Sequence, residues 1–244
     1  MYESHSIFEI PTNEDAKVWR YMDFTKFVSV LANKSLFFTR ADKFRDKFEG
    51  AYSIFNRLHA HQVYGNHLDQ DQIQNFIRDK ELMSKNLRER TIISCWHMNE
   101  YESAAMWDLY LKTNEGIAIQ TTFKRLCESF QETEENIYIG KVRYIDFDRE
   151  WMSEGNAFYP FVHKRISFKH ENEIRAIHSV FPELDMPSPF KEGKNIKIDI
   201  NKLIEKVYVC PDAPSWFCEL VNDVMKRYEV NKQAIHSNLY ELPK

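Results

Sequence analysis

A chain of 244 residues with 43% hydrophobic and 14% aromatic side chains can bury a sizeable core and falls outside the disordered class. Its formal net charge of −4 supplies no global attraction to nucleic acid or to an anionic membrane, although 33 Lys and Arg leave material for a local basic groove. Glycine occurs only 6 times and neither a Walker pattern nor GxGxxG is present, which excludes the glycine-rich phosphate loops.

Residues 1–15 read as a polar lead-in that ends in a cap or turn at PTNED. Met1–Pro11 lacks the apolar centre of a signal peptide, and no apolar run approaches the length of a membrane span. Cys95, Cys127, Cys210 and Cys218 form no CxxC and have no metal-ligand spacing, so a reducing, cytoplasmic setting is expected. Val18–Met22 then predicts a short buried strand carrying one charge, Arg20. Phe24, Phe27, Val28 and Leu31 recur at helical spacing over Phe24–Asn33, and Leu36–Thr39 predicts a second strand. Together these form a compact βαβ-like start. Phe44–Tyr52 is a polar and aromatic loop with Asp46 and Glu49 just before Gly50, and capping of a turn and helix start is the plain account of both acids.

Ile54–Arg90 is mostly helical and holds His59, His61 and His67. No Cys or further acid stands at matching offsets, so these are read as surface histidines and no metal is expected. Thr91–Trp96 is a strongly apolar strand. A loop and then a helix come next, with Met106, Trp107, Leu109, Tyr110 and Leu111 around the buried side. Asn114–Gly116 is a turn, Ile117–Thr121 a strand, Phe123–Phe130 a short helix and Ile137–Tyr144 an alternating strand. Helical matter is expected over Arg149–Arg165. Beyond a Pro-rich loop, Phe181–Pro189, come a small strand at Ile196–Ile200, a last strand at Leu203–Val209 and a turn at Pro211–Pro214. An amphipathic helix then starts at an N-cap, Ser215. Strands and helices mix without strict alternation, which predicts an α+β fold in one domain over 16–244 with a helical insertion at about 54–90.

The stretch ISFKHENEIRAIHS, Ile166–Ser179, carries the most chemistry. Read as one strand, Ile166, Phe168, Ile174 and Ala176 point one way, and Lys169, Glu171, Glu173 and Arg175 the other. The two carboxylates then lie roughly 7 Å apart on one face. Two accounts fit: a solvated face of alternating sign, or a pair in which one carboxylate acts on a nucleophile while the other binds a sugar hydroxyl.

Several motifs recur in a fixed order over roughly residues 18–240: VWRYM, LFFTRADKFRDKFEG, ISCWHMNEYESAAMWDLYLKTNEGIAIQ, the late ExEIR strand, and IEKVYVCP before a helix. In this order they resemble a widespread bacterial domain family of unknown function found near phage-defence genes. That family is similar to a distant branch of the ADP-ribosyltransferase fold. The resemblance implies a mixed, mostly antiparallel split sheet flanked by helices, with NAD as substrate and no metal. It implies Arg20 as the first-strand group on the NAD ribose or phosphates, Glu173 as the late catalytic carboxylate, and Glu171 two residues upstream in the ExE position. Ser94 takes the middle-strand place, although no STS or HYE-type triplet occurs.

Tyr21, Thr39, Arg40, Trp107 and Tyr110 complete the expected NAD contacts. Trp107 and Tyr110 either stack on nicotinamide or adenine or pack into the core. Asp46, Lys164, Lys169 and Arg175 fall to the acceptor, with Lys164, Arg165, Lys169 and Arg175 forming either a basic rim or a solvated face. The implied function is a toxin or phage-defence effector that transfers ADP-ribose to a macromolecule, with a nucleic acid such as RNA favoured over protein. An antitoxin or chaperone protein is the implied partner. The alternative is a non-catalytic module that senses a nucleotide or phage component. A metal-dependent nuclease using Asp46, Glu49 and Glu171 ranks last, because the sequence does not place those acids together.

Overall fold

The computed structural model describes residues 1–111, 113–181 and 187–242. The elements in order are β1 (Tyr2–Glu3), β2 (Lys17–Asp23), α1 (Phe24–Asn33), β3 (Ser35–Arg40), α2 (Ile54–Leu58), α3 (Ala60–Tyr64) and α4 (Gln70–Glu89). Next come β4 (Thr91–Met98), α5 (Ala104–Tyr110), β5 (Gly116–Thr122), α6 (Phe123–Glu128), β6 (Ile137–Lys141), β7 (Arg143–Ile145), α7 (Tyr159–Val162) and β8 (His163–Arg165). The chain ends with β9 (Glu173–Ser179), β10 (Gly193–Lys197), α8 (Ile200–Leu203), β11 (Lys206–Val209), α9 (Ser215–Arg227) and β12 (Ala234–His236). Among the described residues, no helix is long and apolar enough to cross a membrane.

The fold is α+β, built on a mixed, largely antiparallel open sheet. Its main path runs β1-β6-β9-β4-β2-β5-β11-β12, with β3 and β10 as a side branch. Only β1 with β6 and β11 with β12 pair in parallel within it, among the described residues. A small parallel pair, β7 and β8, stands apart.

Strand β4 organises the sheet. One edge pairs along its length with β9, from Thr91 opposite Ser179 to His97 opposite Glu173. The other edge is divided: β3 takes Ile92 and Ile93, while β2 takes His97 and Met98. Ser94, Cys95 and Trp96 have no strand neighbour on that side among the described residues, so the sheet forks there. Helix α1 connects the two prongs and packs against β2, β3 and β5 through Phe27, Val30 and Leu31. The βαβ-like start is therefore real in order, but β2 and β3 do not pair with each other; both run antiparallel to β4. Every residue of β5 is buried, as expected of a central strand covered on both faces. Trp19, Trp96, Phe27 and Phe38 sit in the same core, each contributing about 1.5–3 kcal/mol by leaving water.

Several sequence expectations need correction. Ile166–Ser179 is not one strand: Ile166–Glu171 coils as a 3-10 helix and the strand starts only at Glu173. Asn172 separates them in a left-handed conformation (φ 37°), which Asn accepts more readily than most residues and which no strand continues through. Residues 1–15 are not a detached lead-in, since β1 joins the sheet edge and Phe8 is buried against Tyr138 and Phe158. Arg149–Arg165 is mainly irregular, with a single helical turn at Tyr159–Val162 that includes Pro160 and then strand β8. The strand expected over Ile137–Tyr144 breaks at Val142, and its second half pairs with β8.

The strand expected to reach Ile200 stops at Lys197, because Asp199 caps α8 with bonds of 3.0 Å to Asn201 N and Lys202 N. The strand expected from Leu203 starts at Lys206 and is not the last, since β12 comes after it. Ser215 is the first helical residue of α9; the N-cap is Pro214. Part of the expected Pro-rich loop, 182–186, lies outside the described residues.

Candidate functional site

Sheet geometry dictates which side chains meet. Partners across a ladder share a face, so Trp19, His97 and Glu173 point the same way, and Cys95 points with Arg175. Ser94, one residue along, points to the opposite face together with Ala176. Arg20 succeeds Trp19 and also leaves β2 toward the opposite face.

On the Glu173 face lies a buried chain of charges. Arg175, only 1% exposed, donates from Nη1 to Glu49 Oε1 (2.5 Å) and the Phe161 carbonyl (2.7 Å). Its Nη2 donates to Glu49 Oε2 (2.8 Å) and to Glu173 Oε2 (3.0 Å). Lys164 Nζ donates to Glu173 Oε2 at 3.3 Å and also to Glu171 Oε2. The Glu173 backbone N–H donates to Tyr144 Oη at 2.9 Å. Three carboxylates thus face two cations. Burial pushes the Glu173 carboxyl up, but the charges of Arg175 and Lys164 outweigh it and hold it down at about 2. Glu49 goes the other way: burial raises it, Arg175 opposes, and the charge of Glu173 adds to the rise. The two carboxylates sharing Arg175 titrate as a unit, one held low and the other high. Burial works against the Lys164 ammonium, yet its acidic neighbours, Glu173 foremost, keep it above its ordinary value.

The loop that delivers Glu49 turns on Gly50 at φ +70°, where an added Cβ would sit 2.5 Å from Phe161 Cε1 and 2.9 Å from Arg88 Cγ. Only glycine meets both demands there.

At the fork a second cluster forms. Arg20 Nη1 donates to Ser94 Oγ, Nη2 donates to the Phe37 carbonyl of β3 at 3.3 Å, and the guanidinium stacks over Trp96 with its carbon 5.6 Å from the ring centroid. Trp96 Nε1 also donates to Ser94 Oγ, at 3.2 Å. Arg20 therefore spans the opening between the prongs, half-buried and bonded to both β4 and β3. Burial lowers its pKa, with the Cys95 thiol and Tyr110 hydroxyl acting against that drop.

Arg20 and Glu173 do not touch; Tyr110 and Cys95 stand within electrostatic reach of both clusters. Tyr110, 44% exposed, is raised first by burial and then by Cys95, Glu171 and Glu173, with Lys164 opposing. Cys95 is raised well above its ordinary value by burial and by Glu173. His97, 9% exposed, has Nδ1 2.6 Å from the Glu171 carbonyl, so Nδ1–H is the donor and Nε2 carries the free lone pair. That Nε2 is buried with no hydrogen-bond partner among the described residues, and burial lowers the pKa of the ring. The imidazole is a neutral acceptor with its bond unmade.

The remaining expected residues divide clearly. Tyr21 is buried, with its hydroxyl accepting from Ser103 N at 2.9 Å, and Trp107 meets it edge-on at 4.9 Å. Trp107 is 2% exposed, so it is a core side chain and no open stacking surface. Arg40 is committed to Asp42 (2.6 and 2.9 Å) and to the Phe190 carbonyl (2.7 Å), and Thr39 lies beside it on β3. Arg175 and Lys164 cannot form a basic rim, because both are buried in the ionic chain. Lys169 is exposed. Asp46 accepts from Arg165 Nη2 at 2.7 Å and so anchors a loop. Glu171 and Glu173 are not neighbours along one strand face: the left-handed Asn172 intervenes, and it is Lys164 that brings their carboxylates together.

Asp46, Glu49 and Glu171 are each bound to a cation, and among the described residues no three of His, Cys, Asp and Glu gather as a metal-binding group. His59 stacks on Phe55 at 3.8 Å and His61 lies 3.1 Å from Gln74 Nε2.

Three participants are absent from the sequence-based set: Glu49 as an inward ion-pair partner, Cys95 and His97. The alternation of ISCWHM contained the signal, since Cys95 and His97 share the polar face once the strand is carried to Met98. No protein-family model matches the chain, and no curated protein matches it in sequence at a significant level.

Proposed function

We propose that this protein is an NAD-consuming ADP-ribosyltransferase acting at the fork of its sheet. One observation carries the proposal. Three adjacent strands, β2, β4 and β9, bear Arg20, Ser94 and Glu173 in that order; Arg20 and Ser94 leave one face of the sheet and Glu173 the other, so a dinucleotide gripped by all three would have to pass through the opening between the prongs, where Arg20 sits half-buried. The order of an early arginine, a middle serine and a late glutamate is the one the family resemblance implies. Arg20 offers guanidinium hydrogen bonds to a pyrophosphate. An ionised carboxylate near the nicotinamide riboside stabilises the oxocarbenium-like centre that forms as the glycosidic bond breaks, and accepts from the ribose 2′-hydroxyl. Glu173 is ionised over the whole neutral range, and Glu171 meets it at Lys164. Exposed Tyr110 is the aromatic surface at hand for stacking. A nucleic acid, RNA foremost, is the acceptor we favour, in the setting of a toxin or phage-defence effector with an antitoxin or chaperone partner.

A second reading, a nucleotide-sensing module without chemistry, is favoured by the neutralisation of Glu173: it is 5% exposed and held by two cations. One experiment separates the two. The protein is incubated with labelled NAD and, in turn, RNA, DNA and bacterial lysate. Label transfer or NAD loss that disappears in Glu173→Gln and Glu171→Gln supports transfer chemistry. Binding of NAD with no turnover in the wild type supports the sensor.

A further inference from the structure

Helices α2, α3 and α4, with the loop before them, enclose a cavity of about 410 Å³ that shares no residue with the fork or the buried charge chain. That volume is in the range of small-ligand sites. Five basic side chains line it against two acids, Glu81 and Glu154. Two of the five are already engaged: Lys80 Nζ lies 2.5 Å from Glu154 Oε2, and Arg57 Nη1 lies 3.7 Å from Glu81 Oε1. Lys47, Lys85 and Arg88 make no ion pair among the described residues. Arg88 Nε is moreover buried with no hydrogen-bond acceptor among them, an omission that folded proteins seldom leave uncorrected. The cavity therefore holds an excess of positive charge, although Arg88 Nε itself is closed off from it.

Aromatic rings line it as well. The Tyr52 and Phe76 rings stand over the Lys80 ammonium at 5.1 and 4.8 Å, and Tyr64 meets Phe76 edge-on at 4.9 Å. A small inorganic anion would satisfy the cations and leave the rings with only Lys80 and one another as partners. An apolar ligand would cover the rings and strand the cations. A ligand with a phosphate at one end and a flat ring at the other answers both.

We propose that this cavity binds a nucleotide, its phosphate on Lys85, Arg88 and Lys47 and its base against the Tyr52 and Phe76 rings. The same chemistry is offered by a free mononucleotide and by one nucleotide of a single strand, where phosphate contacts and base stacking on aromatic rings combine. Binding here is independent of ADP-ribosyl transfer at the fork.

The protein is titrated separately with uridine monophosphate, a short labelled oligouridylate and inorganic phosphate. Saturable binding of the monophosphate supports a free-nucleotide site; binding of the oligouridylate alone supports a strand-reading site. In either case Lys85→Gln and Arg88→Gln each weaken binding about tenfold, and Tyr52→Leu does so by a similar factor. Thermal unfolding of each variant verifies that it is folded, and Arg20→Lys leaves the affinity unchanged. The proposal is overturned if neither uridylate binds, if inorganic phosphate competes as tightly as the monophosphate, or if affinity falls in Arg20→Lys while the cavity variants keep it.

Discussion

Replacing Arg175 by methionine is the sharpest probe of the buried charge chain. The substitution keeps most of the side-chain volume, so any loss of stability comes from the missing charge and hydrogen bonds rather than from a large cavity. It removes four hydrogen bonds at 2.5–3.0 Å and leaves Glu49 and Glu173, 2% and 5% exposed, with Lys164 as the nearest cation. Adding the four bonds at about 1.5–3 kcal/mol each would give roughly 6–12 kcal/mol, which ignores the desolvation that the intact guanidinium already bears. Breaking a buried pair by deleting one partner costs about 3–5 kcal/mol, and a destabilisation of about 4 kcal/mol is expected.

With a urea slope of about 3 kcal/mol per M, the unfolding midpoint falls by roughly 1.3 M. The five tryptophans supply the fluorescence signal. Adding Glu49→Gln to Arg175→Met removes one of the stranded carboxylates, so the double variant is more stable than the sum of the single losses predicts, by about 1–3 kcal/mol. A folded Arg175→Met protein that loses less than about 1 kcal/mol, or strictly additive losses, would refute the account of a desolvated, mutually dependent chain.

Other expectations come from single features. His97, His163 and His178 all have pKa values lowered from 6.5 by burial. Below pH 6.5 the unfolded chain takes up protons that the folded chain refuses, so stability is full above that value and is lost as pH falls below it. Each histidine contributes a slope of up to about 1.4 kcal/mol per pH unit, and His163→Gln flattens the urea-midpoint profile between pH 7 and pH 5. Gly50→Ala combines a left-handed backbone with a clash against Phe161 and costs about 3 kcal/mol, read as a lower midpoint at unchanged slope. If NAD binds at the fork, Arg20→Lys raises its KM about tenfold, because an ammonium cannot offer a pyrophosphate the paired donors of a guanidinium; an unchanged KM removes Arg20 from the site.

The parts of this fold that are legible in the sequence are those whose pattern has one physical cause. Phe24–Asn33 is a helix with the bounds its spacing predicts, because its apolar residues sit on one face and Lys34 ends it in a left-handed turn. The strands around Arg20 and Ser94 are equally plain from their apolar runs. Ile166–Ser179 misleads because Lys169, Glu171, Glu173 and Arg175 alternate as they would on a wet strand. A buried ionic face alternates in the same way, and partners supplied by Glu49 and Lys164 are invisible to local periodicity. Asn172 is the one local clue to the break. The fork at β4 is a property of long-range pairing, and the helix-lined cavity depends on how α2, α3 and α4 pack; neither leaves a mark at any single spacing.

The pairing of β1 with β6 constrains how the molecule is made. Tyr2 stands in register with Ile137, whose N–H donates to the Met1 carbonyl at 2.8 Å, and Met1 N donates to the Thr133 carbonyl at 2.9 Å. During synthesis at about 5–20 residues per second, the opening segment waits on the order of ten seconds for its template to emerge from the ribosome. Through that interval the edge of β6 does not exist and β1 has nothing to add to. The leading segment is therefore among the last to dock, and a protein that captured it early would hold the nascent chain short of its finished sheet.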